Sequence, residues 1–328
     1  MRLRLTLLVA TWLLLNPALT GGAMLAGQDA SPYVPLGHWV MPYVEHLIAS
    51  AMLLGLYAMA WDFLNGYAGI FSFGHAAFFG AGAYAAGILI VRAGITSAPV
   101  ILLAAVATAA LVGLGVGFLC ARVGSVAVFL VTFACAEALY LIVLTDPRGV
   151  TNGDNGLAGV VPAPFLGINL GRQFTFYYVA LVVVVGSYLV LRRVTRSQFG
   201  QVLLGIRENE ARVNFAGYRV EQYKTAAVAI SAMFAGLAGA LTAFHERIAS
   251  PENLSWPLSG DAVLYATLGG TGTLLGPLLG AATVILAREV LSDLVRSWLI
   301  FIGATYIALV FFLPDGLYPL LFRKETRS

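Results

Sequence analysis

Two ionisable residues stand inside otherwise apolar stretches of this sequence: Glu137, in the run FACAEALY, and His75, in SFGHAAFFG. Such side chains are expensive to place in hydrocarbon, so each is first read as functional, lining a polar path or serving as a proton site. Each also has a structural reading: Glu137 pairing or hydrogen-bonding with a neighbour inside a bundle, His75 as a satisfied core histidine. A third ionisable residue, Asp62, follows Trp61 at the end of an apolar segment and is expected at the membrane interface. Arg288, Glu289, Asp293 and Arg296 are close enough in sequence to pair near a helix end.

Catalytic constellations are missing. The chain has two lysines, Lys224 and Lys324, and neither follows a GxxxxG pattern. The glycine run GGTGTLLGPLLG lacks the Lys-Ser/Thr pair of a phosphate-binding loop. No HExxH or GxSxG occurs, and the histidines His38, His46, His75 and His245 are scattered. Cys120 and Cys135 are too few for a disulfide framework and lack neighbouring metal ligands, so they read as small buried hydrophobes. The sequence therefore predicts no enzyme, no cofactor and no bound metal. If the protein moves a solute uphill at the expense of ATP, another chain must hydrolyse it.

The longest polar interval is FGQVLLGIRENEARVNFAGYRVEQYK, 199–224. Counted from Arg192, this region holds seven of the 19 basic residues, with Glu208, Glu210 and Glu221 among them. Phe199, Leu203 and Ile206 recur at helical spacing and give one apolar edge. Glu208 and Arg212 form a favourably ordered i,i+4 pair, and Gly217 is a plausible stop. A short helix with an apolar edge and a charged tip, tethered between two spans, suits insertion into a groove on a soluble partner. Its plainer reading is a solvated basic loop.

The elements that must hold these residues lie in lipid. The chain is 59% hydrophobic and 11% charged, against about 25% charged for a soluble domain. Apolar segments near 1–26, 43–63, 66–92, 98–119, 124–145, 175–193, 225–246, 258–272, 275–292 and 297–321 predict an all-α polytopic membrane bundle of about 8–10 transmembrane segments in one domain, 1–328. Residues 1–26 read as a retained helix or a cleaved signal peptide. Placing the basic loop 194–224 in the cytoplasm puts Arg2, Arg4, Arg122, Arg323, Lys324 and Arg327, and both termini, on the same side. Loops 27–42, 146–174 and 247–257 then face outward. The net charge of +3 comes from loops and gives no support to nucleic-acid binding.

Two segments are broken by glycine: 66–92, and 258–272 with its Gly269-Gly270-Thr271-Gly272. Interrupted segments, one in each half of a chain, point to a pathway at mid-membrane, or they simply permit close packing. Gly272, Gly276 and Gly280, and likewise Ala232, Gly236 and Ala240, repeat at i+4 as smooth packing faces.

LNGYAGIFSFGHAAFFGAGAYAAGIL (64–89), the stretch 199–241, LGGTGTLLGPLLGA (268–281) and VTFACAEAL with TNGDNGLAG resemble, in the right order, signatures of one family. These are the LivM-type membrane subunits of bacterial ABC importers for branched-chain amino acids. The resemblance implies a permease domain in the inner membrane, a second homologous permease, two cytoplasmic ABC ATPases and a periplasmic binding protein. It places the ATPase-coupling helix around Gly200 to Gly217, with Arg207, Glu208, Asn209, Glu210 and Arg212 at or near its tip. Phe73, Gly74, His75, Glu137, Gly269, Gly270 and Gly272 are the expected pathway residues. Gln201, Leu204-Gly205 and Ala216-Gly217-Tyr218 depart from the family pattern. Two alternatives stand beside it: a proton-coupled secondary carrier of small polar solutes, and a permease of the same family for urea or amides.

Overall fold

The computed structural model describes residues 37–164, 170–294, 303 and 316–321. The expected first span, 1–26, and most of the last, 297–321, fall outside these residues. Among the described residues, five long helices are apolar enough to cross a membrane: Tyr43–Tyr67, Ala98–Cys120, Ala127–Thr145, Gln173–Arg196 and Val220–Glu246. The described chain is an all-α, multi-pass membrane bundle.

Helix α1 (Gly37–Asp62) runs on into a π turn, Phe63–Tyr67. It is followed by α2 (His75–Val91), α3 (Ala98–Cys120), α4 (Ser125–Thr145) and α5 (Gln173–Arg196). Then come α6 (Gln198–Phe215), α7 (Val220–Glu246), α8 (Trp256–Gly269), α9 (Gly276–Leu294) and the short α10 (Tyr318–Leu321). Two helices form the centre: the most apolar windows of the α1 and α7 spans are each 72% buried, against 17% for α4. Small residues make this possible. Ala232 and Ala240 of α7 are fully buried, and Gly236 lies against Ala109 of α3 and the Phe78 carbonyl of α2. The Ala232–Gly236–Ala240 face is thus a packing face, as its spacing predicts.

The second expected stripe is different. Gly276 and Gly280 lie on α9, but Gly272 sits in the turn before it with φ +77°. Segment 66–92 is also not one span. It divides into the π turn, an irregular stretch 68–74 and the 17-residue α2. Trp61 Nε1 donates to the Ser72 carbonyl at 2.7 Å and pins this stretch against α1.

Beyond α4, β1 (Leu157–Ala158) pairs antiparallel with β2 (Ile248–Ala249). Loops 146–174 and 247–257, which alternation of the spans places on one side, therefore meet. At this end His46 near the start of α1 also approaches Glu246 at the end of α7, 3.8 Å apart. Residues 62–74 and the start of α7 belong to the opposite end.

Candidate functional site

At that opposite end the two glycine-broken segments touch. A Cβ on Gly66 would lie 2.7 Å from the Gly272 Cα, so only glycine lets the π turn of α1 approach the 270–275 turn this closely. Asp62 fixes the contact. Its fully buried carboxyl group accepts hydrogen bonds from the backbone N–H of Gly272 (2.6 Å) and of Leu274 (3.0 Å). Tyr67 Oη donates to the Gly272 carbonyl at 3.2 Å. Asp62 is therefore a buried brace between α1 and the α8–α9 turn rather than an interface residue. Its partners are backbone N–H groups some 200 positions away, so no local sequence signal marks it.

The polar interval reaches the same junction. The Arg207 guanidinium donates to the Gly66 carbonyl, and its side chain covers Gly69, where a Cβ would lie 2.9 Å from Arg207 Cγ. Gly69 has φ +68°, so the strand of chain under Arg207 takes a conformation favourable to glycine. Arg207 is exposed, yet its guanidinium reaches back onto the end of α1.

Helix α6 departs from expectation in two further ways. Asn209 has extended backbone (φ −159°, ψ 96°), so α6 is two helices meeting at a kink. The Asn209 side chain accepts from Arg212 N–H at 3.0 Å and caps the second piece, which ends before Gly217 at φ +91°. The kink lies between Glu208 and Arg212, so they lose their i,i+4 register, and no ion pair joins them among the described residues. Instead Glu210 accepts from Lys224 of α7 at 2.6 Å. The apolar edge also turns inward. Leu203 and Ile206 are buried in the chain's own core, and Phe199 stacks on Tyr223. From Arg207 through Arg212 the residues are exposed, as are Asn214 and Phe215, the last 93%. Gly200 packs against the Thr195 carbonyl where α5 passes into α6.

The expected pathway residues separate into two places. Gly269, Gly270 and Gly272 close α8 and form the turn held by Asp62. Phe73 and Gly74 instead face α4. Phe73 N–H donates to Thr132 Oγ1 at 3.1 Å, its ring packs on Phe129 and Phe133, and Gly74 abuts the Thr132 carbonyl. Glu137 lies one turn beyond Phe133 on α4, half-buried and without a hydrogen-bond or ion-pair partner among the described residues. His75 is fully buried, with Tyr57 and Phe78 around its ring. Ser231 Oγ donates its one proton to the Ala60 carbonyl (2.6 Å). His75 Nε2 lies 3.3 Å from the Ser231 Oγ and, with that hydroxyl's proton committed, is placed to donate to it, while Nδ1 is buried without a partner among the described residues. This is a core histidine that ties α2 to α7 and α1. Arg288 reaches Asp261 of α8 at 3.5 Å, linking α9 to α8.

Residues 43–310 match the family described as branched-chain amino acid transport system / permease component. The chain is 26% identical to the high-affinity branched-chain amino acid transport system permease protein LivM of Salmonella typhimurium, over 82% of this chain and 68% of the relative. The LivM protein of Escherichia coli is equally similar, at 26% over the same shares. The ribose import permease protein RbsC of Haemophilus influenzae is 25% identical over 59% of this chain and 61% of its own length. No solved structure matches the chain.

Proposed function

Because this chain belongs to the permease-component family of branched-chain amino acid transport systems, we propose that it is one membrane half of an ATP-binding-cassette importer in the bacterial inner membrane. In this reading it carries branched-chain or similar small amino acids inward, and catalyses no reaction itself. Two cytoplasmic ATPases supply the energy, a second homologous permease completes the path, and a periplasmic binding protein delivers the solute. The names of the LivM relatives support the amino acid. A ribose import permease is also among the relatives, so the amino acid rests on the LivM names alone.

The observation that carries the proposal is Arg207 seated on the end of α1. A force on the exposed edge of α6 (Glu208, Arg212 and Phe215) passes through Arg207 to Gly66 and Gly69, and through Asp62 to the 270–275 turn. The ATPases therefore need no contact with the pathway to bias it; they need only favour one position of α6. Coupling and pathway residues that are far apart in sequence share one mechanical junction.

The test is purification of the tagged full chain from its native membrane in mild detergent, with mass spectrometry of what accompanies it. Two ATPase-type chains and a second hydrophobic permease are expected, and the accompanying binding protein is then screened for its amino acid. A chain that arrives alone, and transports in liposomes without ATP, would replace this reading with a proton-coupled carrier centred on Glu137.

A further inference from the structure

Helix α5 has two faces of opposite character. Ala180, Val184, Ser187, Leu191 and Thr195 are buried against the bundle. On the other face Val182, Val185 and Leu189 are exposed, 70% for Val182, and helical spacing continues that line into Arg192 or Arg193 and then Arg196. The stripe is apolar for its first turns and cationic at its end. There, Leu189, Arg192, Arg193, Arg196 and Ser197 line an open depression of about 490 Å³.

None of the three arginines meets a carboxylate at ion-pair distance among the described residues. Arg192 is drawn over the Tyr188 ring, 6.0 Å from its centroid. Ser197 turns its hydroxyl back to the Val194 carbonyl (2.6 Å), so the start of α6 at the edge of this depression has no side-chain cap. Three guanidinium groups and an uncapped helix start present many donors with no protein acceptor. They complement a group with several anionic oxygens.

We propose that this depression binds the phosphate of an anionic diacyl phospholipid, with one acyl chain lying along Val182, Val185 and Leu189. The apolar stripe selects a lipid over a free anion. A soluble phosphate would use the arginines and leave the stripe bare, whereas a phospholipid covers both, with its headgroup at the height where a membrane helix ends. Arg193 and Arg196, in the last turn of α5, also sit where the helix favours positive charge. Because α6 begins at Ser197, a lipid held here braces the root of the element that carries Arg207. This assignment stands whether or not the importer reading does.

The test uses the delipidated full chain in detergent and native mass spectrometry with dioleoyl phosphatidylglycerol or dioleoyl phosphatidylcholine. The wild type is expected to prefer phosphatidylglycerol. At roughly fivefold for each basic residue, Arg192→Gln/Arg193→Gln/Arg196→Gln should weaken phosphatidylglycerol binding on the order of 100-fold and leave phosphatidylcholine unchanged. Arg219→Gln, a basic site away from the stripe, should change neither. If the triple variant does not elute as a folded species, the single reversal Arg193→Glu takes its place. Equal binding of the two lipids by wild type, or an undiminished preference in the variant, would overturn the proposal. So would displacement of the lipid by millimolar inorganic phosphate, which would make the site one for a free anion.

Discussion

The junction at the end of α1 and the Glu137 face of α4 are built in opposite ways. At the junction the polar side chains that join the elements are paired: Asp62 with two backbone donors, Tyr67 with Gly272, Arg207 with Gly66. Backbone approaches backbone there, with glycine on both sides. Along α4 the helix is mostly uncovered, and Glu137 has no partner among the described residues. The contrast separates two tasks. A saturated, close-packed contact has few alternative arrangements and transmits displacement; a loosely covered helix with a spare carboxyl group leaves room for a solute or a neighbouring chain.

The comparison is broken most severely at Asp62. Asp62→Ala orphans the N–H groups of Gly272 and Leu274, costing about 1–3 kcal/mol for each donor left without a partner. A marked fall in the detergent melting temperature is expected, and an unchanged one would mean that the turn does not depend on α1. Arg207→Ala should act next, on transport rather than folding. Uptake in the assembled system is expected to drop roughly tenfold, while the melting temperature moves little; an equal loss of both would make Arg207 merely structural. Glu137→Gln should lie within about 0.5 kcal/mol of wild type in stability. It should impair uptake more than assembly, and normal uptake would return Glu137 to a bystander role.

The smallest effect sharpens the contrast by leaving both regions untouched. Asp146 caps the end of α4 with a carboxylate that accepts from Val150, Thr151 and Asn152, and these backbone donors, Thr151 foremost, hold its carboxyl below the usual carboxylate range. A carboxyl group with a lowered folded value stabilises its loop at pH above the unfolded value near 3.8 and loses that contribution as pH falls through the folded one. Hydrogen exchange at Thr151 should thus be protected at pH 6 and faster, after correction for intrinsic rate, at the acid limit. Constant protection would remove the carboxylate from the account of this loop.

Much of this was legible in the residues. Apolar run length predicts the long spans, and the Ala232–Gly236–Ala240 repeat predicts the central packing face. The glycines of 66–92 and 258–272 mark two breaks, yet nothing in their spacing says that the breaks touch, because that contact joins residues some 200 positions apart. Asp62 reads as interfacial from sequence because its partners are backbone donors, which carry no side-chain signature. The inward turn of the Leu203–Ile206 edge was hidden for a related reason. Helical periodicity identifies an apolar face without telling whether its own bundle or another protein covers it.

The central claim is that α6 and the 270–275 turn move as one body. Spin labels at Ala211→Cys and Thr271→Cys, both at exposed positions, report their separation by pulsed electron resonance in the assembled transporter, with and without nucleotide. A narrow distribution whose centre does not move with nucleotide, and which broadens with Arg207→Ala, is the predicted result. A separation that changes with nucleotide in the wild type would show that the two elements move independently, and the transmission route through Arg207 and Asp62 would be wrong.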